Sequence, residues 1–209
     1  MSVMTIDDRI SYIVASDDPL SADIGMIRTD GGIWLYDVGN GEKRISGLTD
    51  SYHIVLSHFH ADHTGNIDRV RAKELYVSGE TFRHVHKGTV VDADLYFGDL
   101  HIFPLPSCHA KGCLGLEVGE TYAFVGDGLY CRVRDGYYLY NAQLLKEEIE
   151  VLSALKSPWL LVSHFPGLIR KKDEALAELK TIYQMRAKNT TEIRLPIEPK
   201  RERVSDKKE

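Results

Sequence analysis

The chain has 209 residues, 43% of them hydrophobic and 27% charged, which excludes a disordered, collagenous or coiled-coil protein and fits one globular domain. Its 26 basic and 31 acidic residues leave a net charge of −5, so there is no broad positive field for nucleic acid or an anionic membrane surface. The longest apolar runs, such as Trp159-Leu160-Leu161-Val162, fall far short of the ~18 residues that span a bilayer.

The pattern predicts a strand at Ile10–Ala15, closed by Asp17-Asp18-Pro19. A second follows at Asp23–Arg28, with Thr29-Asp30-Gly31-Gly32 as a hairpin turn into a third at Ile33–Val38. His53–Ser57 is a short apolar strand leading into a histidine cluster. Asn66–Lys73 reads as a short helix, and Leu75–Ser78, Asp99–Pro104, Leu114–Val118 and Tyr122–Val125 as strands, the last two joined by a hairpin. Ala142–Lys156 has apolar residues at helical spacing, Trp159–Ser163 reads as a buried strand, and Lys172–Lys188 as a final helix. Strands with unevenly interspersed helices indicate α/β or α+β layers. Residues 1–195 are expected to form one domain. From Pro196 to Glu209 there are nine charged residues and two prolines, the composition of a solvated, disordered tail. The opening Met-Ser-Val-Met-Thr-Ile-Asp-Asp-Arg has neither the basic nor the apolar stretch of a secretory signal. The three cysteines, Cys108, Cys113 and Cys131, suit a reducing compartment, so the cytoplasm is the expected location.

The chemistry concentrates in His58-Phe59-His60-Ala61-Asp62-His63. In a chain of this composition an H-x-H-x-D-H block arises by chance about once in a thousand cases, so chance is a poor account of it. Neutral imidazole and carboxylate are ligands of zinc and similar ions. Adjacent Asp62 and His63 must diverge, so four ligands in six residues suggest two ions, each completed from elsewhere. His109, Asp127 and His164 each sit just past a predicted strand and are the candidates. Singly, each would read as a surface or hydrogen-bonded residue; together, beside the cluster, they read as ligands.

These features resemble the metallo-β-lactamase-fold hydrolase superfamily over about Ile10 to Met185. Leu35-Tyr36-Asp37-Val38-Gly39 is similar to the family's strand ending in Asp-Thr-Gly, and the order of histidine block, later histidine, Gly-Asp pair and final strand with histidine also agrees. The resemblance implies a four-layer αβ/βα sandwich of two mixed sheets. It implies a first metal site of His58, His60 and His109 and a second of Asp62, His63 and His164. Asp127 would bridge the two ions and Asp37 would orient the ligand loop. Two divalent ions, zinc first with manganese or iron as alternatives, bring +4 against −2 from the aspartates. That excess would hold a bridging hydroxide for attack on an ester, thioester, lactone or related centre in a small molecule.

Within the superfamily, Asp127 stands where cysteine-dependent lactamases carry a thiolate, which resembles the glyoxalase II-like and lactonase-like branch. Asp62 or Asp127 would take the proton, and Tyr130 would polarise the substrate carbonyl, as in some lactonase-like relatives. The alternative is a mononuclear iron oxidoreductase of the same fold, similar to persulfide dioxygenases and using His58, His109 and Asp127. A phosphodiesterase, a nuclease and a non-catalytic metal-binding protein rank lower. Partners are expected to be a small-molecule substrate, with neither nucleic acid nor membrane. Lys111 departs from the family's Gly-His-Thr-x-Gly segment and reads as solvent-facing, while Cys108 reads as a buried, inert thiol. Tyr137, Tyr138 and Tyr140 form a patch that either walls the pocket or packs on the following helix. His53, His84, His86 and His101 read as non-ligands.

Overall fold

The computed structural model describes residues 2–197, so all but the first two residues of the expected tail lie outside the described residues. In chain order the first half contributes β1 (Val3–Thr5), β2 (Ile10–Ile13), the short pair β3 (Ser16–Asp17) and β4 (Leu20–Ser21), β5 (Ile24–Thr29), β6 (Gly32–Tyr36) and β7 (Tyr52–Val55). It continues with α1 (Ala61–Thr64), β8 (Ala72–Val77), α2 (Gly79–Val85) and β9 (Thr89–Val90). The second half contributes β10 (Leu95–Phe97), β11 (Leu100–Leu105), β12 (Cys113–Val118), β13 (Tyr122–Gly126), β14 (Arg132–Arg134) and β15 (Tyr137–Asn141). Helix α3 (Ala142–Ala154), β16 (Trp159–Val162), β17 (Ile169–Lys171), α4 (Lys172–Gln184) and β18 (Glu192–Pro196) follow.

Two mixed sheets dominate. One has the order β1-β2-β5-β6-β7-β8-β9, the other β10-β11-β12-β13-β16-β17. Alternation along each strand sends successive side chains to opposite faces. Trp34 and Tyr36 therefore enter the core between the sheets, while Leu35 enters the outer core. In the second sheet Phe124 and Leu161 point between the sheets; Ala123, Val125, Leu160 and Val162 point outward to α3 and α4. Leu145 and Leu152 of α3 and Ala175, Leu176, Leu179 and Ile182 of α4 complete that outer core. Ile67, Val70 and Val85 cover the outer face of the first sheet. The result is four layers with three cores. Between the sheets Tyr36 stacks on Phe124 at 5.1 Å. A Cβ at Gly25 would come within 2.4 Å of the Phe124 ring, so this aromatic contact requires glycine beneath it.

Both expected hairpins form, with Thr29 opposite Gly32 and Val118 opposite Tyr122. The helix expected at Asn66–Lys73 does not form. Asn66 spends its amide on the Val38 and Gly41 carbonyls at 3.1 and 3.2 Å, and Ala72 and Lys73 already belong to β8. Pro196, expected to begin the tail, instead ends β18 opposite Tyr137.

Pairing is parallel at β6–β7 and β13–β16. In parallel arrays loops at the carboxyl ends of the strands carry ligands. Asp37 follows β6, His58 follows β7, Asp127 follows β13 and His164 follows β16. Side chains 90 or more residues apart in sequence are thereby delivered to one edge of the sandwich.

Candidate metal centre

Ser57 and Asp37 are the base of the site. Asp37 is fully buried and lies at φ 62°, a conformation that is costly for a residue with a side chain. Its Oδ1 accepts the Ser57 amide at 2.7 Å. Its Oδ2 accepts the Ser57 hydroxyl and His63 Nδ1–H, each at 2.7 Å. The single hydroxyl proton of Ser57 is thus committed to Asp37. His58 Nδ1, 3.0 Å from Ser57 Oγ, must carry a proton and donate it. Both histidines therefore turn Nε2 away from this hub and into the site, the orientation that outer hydrogen bonds impose on metal-binding imidazoles. Gly126, at φ 54°, allows Asp127 in: a Cβ there would lie 2.7 Å from that of Ser57.

Two donor groups face each other above the hub, each with its ligand atoms within 4.8 Å of one another: His58, His60 and His109, and Asp62, His63, Asp127 and His164. In the first, His60 Nδ1 lies 2.9 Å from His58 Nε2 and 3.0 Å from His109 Nε2. In the second, Asp62 Oδ2 lies 3.1 Å from His164 Nε2 and 3.5 Å from His63 Nε2. Asp127 touches both groups. Its Oδ2 is 3.3 Å from His109 Nε2 and its Oδ1 is 3.4 Å from His63 Nε2. All seven residues expected from the sequence are brought together, in the two sets that the resemblance implies.

The protein alone leaves this cluster unsatisfied. His63 Nε2 and Asp127 Oδ1 are buried without a hydrogen-bond partner, a condition that native interiors rarely tolerate. Each points at the other, so one cation between them would satisfy both. The charges show the same want. Burial, reinforced by the neighbouring histidines, drives the His58 pKa far below its usual value, so the ring is neutral and ready to ligate. Burial also lowers His60 and His109. For His63 burial is outweighed by Asp37 and Asp127, which hold it at about 10. The Asp62 carboxylate, despite its burial, is held at about 2 by His164 and His63. In the second group a proton stands in for positive charge that the two aspartates demand. The donors present, imidazole nitrogens and carboxylate oxygens with no thiolate among them, fit divalent metal ions.

Asp23 also serves the site and carries no sequence signal beyond its place at a strand start. It is buried, and its two oxygens accept the amides of Ala15 at 2.8 Å and His164 at 3.0 Å. The second bond holds His164, itself at φ 61°, against the first sheet. Tyr130 flanks His109 with ring centroids 6.5 Å apart, but its hydroxyl donates to the Ser163 carbonyl at 2.8 Å and burial raises its pKa to about 12. It is a wall and a brace in this arrangement.

The remaining histidines stand outside both groups. His53 pairs with Glu74, His84 stacks on Phe59, and His101 lies between Asp94 and Glu117. Lys111 is exposed. Burial raises the thiols of Cys108 and Cys113 to about 12, so neither is a thiolate at neutral pH.

No protein-family model matches the sequence, and no curated protein does. Solved structures do match. The DIM-1 metallo-β-lactamase superposes with a TM-score of 0.69 at 14% identity, covering 88% of this chain and 96% of its own. A B3 metallo-β-lactamase with an active-site glutamic acid gives 0.65 at 13% identity, covering 88% of each chain. The chemotaxis sensor ODP, solved as a peroxy diiron species, gives 0.63 at 17% identity, covering 86% of this chain and 94% of its own. The chain has the metallo-β-lactamase fold, with a His/Asp cluster suited to metal ions at the edge of its two sheets.

Proposed function

We propose that the protein is a dinuclear metal-dependent hydrolase of the glyoxalase II-like or lactonase-like kind, acting on an ester, thioester or lactone in a small molecule, with zinc as the first candidate metal. The observation that carries the reading is Asp127, whose two oxygens face the two donor groups at 3.3 and 3.4 Å. His58, His60 and His109 would hold one ion, and Asp62, His63 and His164 the other. Bound there, divalent ions supply Lewis acidity and bring the pKa of a coordinated water to about 7. The chain's own residues do the rest. Asp37 and Ser57 keep the Nε2 lone pairs of His58 and His63 aimed inward. Asp62 and Asp127 are the acceptors for the proton that leaves the attacking water. Tyr130 walls the groove; polarising a substrate carbonyl would require it to release Ser163. The net reaction adds water across the acyl C–O or C–S bond, leaving a carboxylic acid and an alcohol or thiol. Three free thiols suit a reducing compartment such as the cytoplasm, and among the described residues no helix is long and apolar enough to cross a membrane.

A second reading, iron redox chemistry on the same residues, is favoured by the likeness to the diiron sensor. Metal analysis decides between them, together with Asp127→Ala. The hydrolase reading expects about two zinc or manganese ions per chain and turnover of generic esters. It expects D127A to lose both turnover and at least one ion, with the far-ultraviolet dichroism unchanged. Iron with dioxygen uptake and no ester turnover would favour the second reading. Full metal content and full turnover in D127A would refute the bridge.

A further inference from the structure

Beside His109 the chain builds a groove of about 950 Å³ that the metal chemistry does not require. Its floor is the small sheet β14-β15-β18. Register places Val133 opposite Tyr138 and Tyr138 opposite Leu195, so these three form one cross-strand row on a single face. The next residues on that face, Tyr140 and Ile193, are buried in the core with α4. The row thus continues the core outward, yet it ends uncovered: Val133 is 60% exposed and Tyr138 42%, and Met185 across from them 57%. Exposed apolar groups gathered in one concavity mark a binding surface.

The charges say what kind of group the groove takes. Among the described residues lining it, only Arg170 and Glu178 are charged at neutral pH. These two form an ion pair with each other, and the guanidinium also lies over the Phe165 ring at 5.7 Å. No free charge remains for an anionic or cationic ligand. Residues 198–209, which follow the groove-lining Pro196, include only Pro199 and Val204 as apolar residues among nine charged ones, so they lack the material to cover it. His109 and Tyr130 line the groove, making it continuous with the metal centre.

We propose that this groove seats an uncharged apolar chain next to the scissile carbonyl, so that the substrates are esters, thioesters or lactones of hydrophobic acyl groups. This rests on the hydrolase reading for the reaction but not for the binding. The test joins two readouts. The first is calorimetric binding of octanamide, a neutral chain with an inert carbonyl, to metal-loaded and to chelator-treated protein. The second is kcat/KM for p-nitrophenyl acetate, butyrate, hexanoate and octanoate. Each is repeated on Val133→Asp and Met185→Glu, which alter exposed positions.

Octanamide should bind both forms of the wild type, and each variant should weaken it at least tenfold. kcat/KM should rise roughly two- to fourfold per added methylene, a slope the variants flatten. Octanamide binding lost in the variants, with no ester hydrolysed at all, would keep the groove and remove the hydrolase reading. Ester turnover without chain-length dependence, and no octanamide bound, would overturn the groove and keep the hydrolase. A wild-type dimer that V133D makes monomeric, with no octanamide bound, would assign the row to a second copy of the chain and equally overturn the proposal.

Discussion

Asp37→Asn changes one atom and should reverse the proton order of the whole site. The amide oxygen of asparagine can still accept the Ser57 backbone N–H, now held at 2.7 Å. Its NH2 then occupies the position of Oδ2, which at present accepts both the Ser57 hydroxyl and His63 Nδ1–H. Donor would face donor at both contacts. To accept at Nδ1, His63 must give up the proton there and keep one on Nε2. Ser57 must turn its hydroxyl toward His58 Nδ1, 3.0 Å away, which moves that proton to Nε2 as well. In both rings the metal-competent form, with the proton on Nδ1 and the lone pair on Nε2, would then be disfavoured.

Two charge-assisted bonds worth about 1.5–3 kcal/mol each give way to neutral contacts of about 1 kcal/mol. Metal-free protein should therefore lose a net ~1–4 kcal/mol of stability. Loss of such an outer partner typically weakens metal binding about 10- to 100-fold, and the reversed tautomers put this variant at the upper end. Competition with a chromophoric chelator measures the affinity, and urea unfolding of chelator-treated protein measures the stability. If D37N binds both ions as the wild type does while losing only stability, the tautomer argument fails and Asp37 is merely a packing residue.

Asp23→Ala removes the acceptor for the His164 amide at 3.0 Å; it should release one ion about tenfold more readily than the other in a stepwise chelation experiment, whereas equal loss of both would show that Asp23 does not act through His164. Glu148 is buried on α3 with Oε1 unpartnered, and burial pushes its pKa well above the usual carboxylate range. A raised folded pKa means that the native state binds more protons than the unfolded state, so this group costs stability as pH climbs above about 4.5. Glu148→Gln should raise the Tm of metal-free protein at pH 8 and leave it nearly unchanged near pH 4.5; an equal effect at both would refute the assignment. Gly25→Ala should destabilise the fold by about 1–3 kcal/mol through the 2.4 Å approach of its Cβ to Phe124, read as a lower urea midpoint, and a neutral substitution would mean that the inter-sheet aromatic contact adjusts freely.

The histidine block is legible because four candidate ligands, three histidines and an aspartate, crowd into six residues, a local pattern that needs no knowledge of the fold. His109, Asp127 and His164 are legible only as residues just past strands, and the parallel topology is what makes that position meaningful. Asp23 escapes because a lone carboxylate at a strand start is common; its role depends on a loop that begins 140 residues later. The sheet β14-β15-β18 escapes for a different reason. Arg132-Val133-Arg134 and Glu192-Ile193-Arg194-Leu195 do alternate, but in runs of three to five residues rich in charge, too short to stand out as strands next to the charged tail expected from Pro196. Helix α2 opens on Gly79 and buries only Thr81, leaving no apolar stripe to detect. The failed helix at Asn66–Lys73 illustrates the reverse case, where local spacing is overruled by a side chain that ties the turn to Val38 and Gly41.

The two donor groups draw His58, His60, Asp62 and His63 from the first half of the chain and His109, Asp127 and His164 from the second, with 102 residues separating the contacting pair Asp62 and His164. Neither half contains a finished site. A nascent chain that has folded only its first sheet presents four donors with nothing opposite them. The group that contains His164 closes only when the loop after β16 has docked. On the proposed function, metal uptake would be a coincidence signal, registered once both halves have met in the right register, and an ion once held would rivet the sandwich along its open edge.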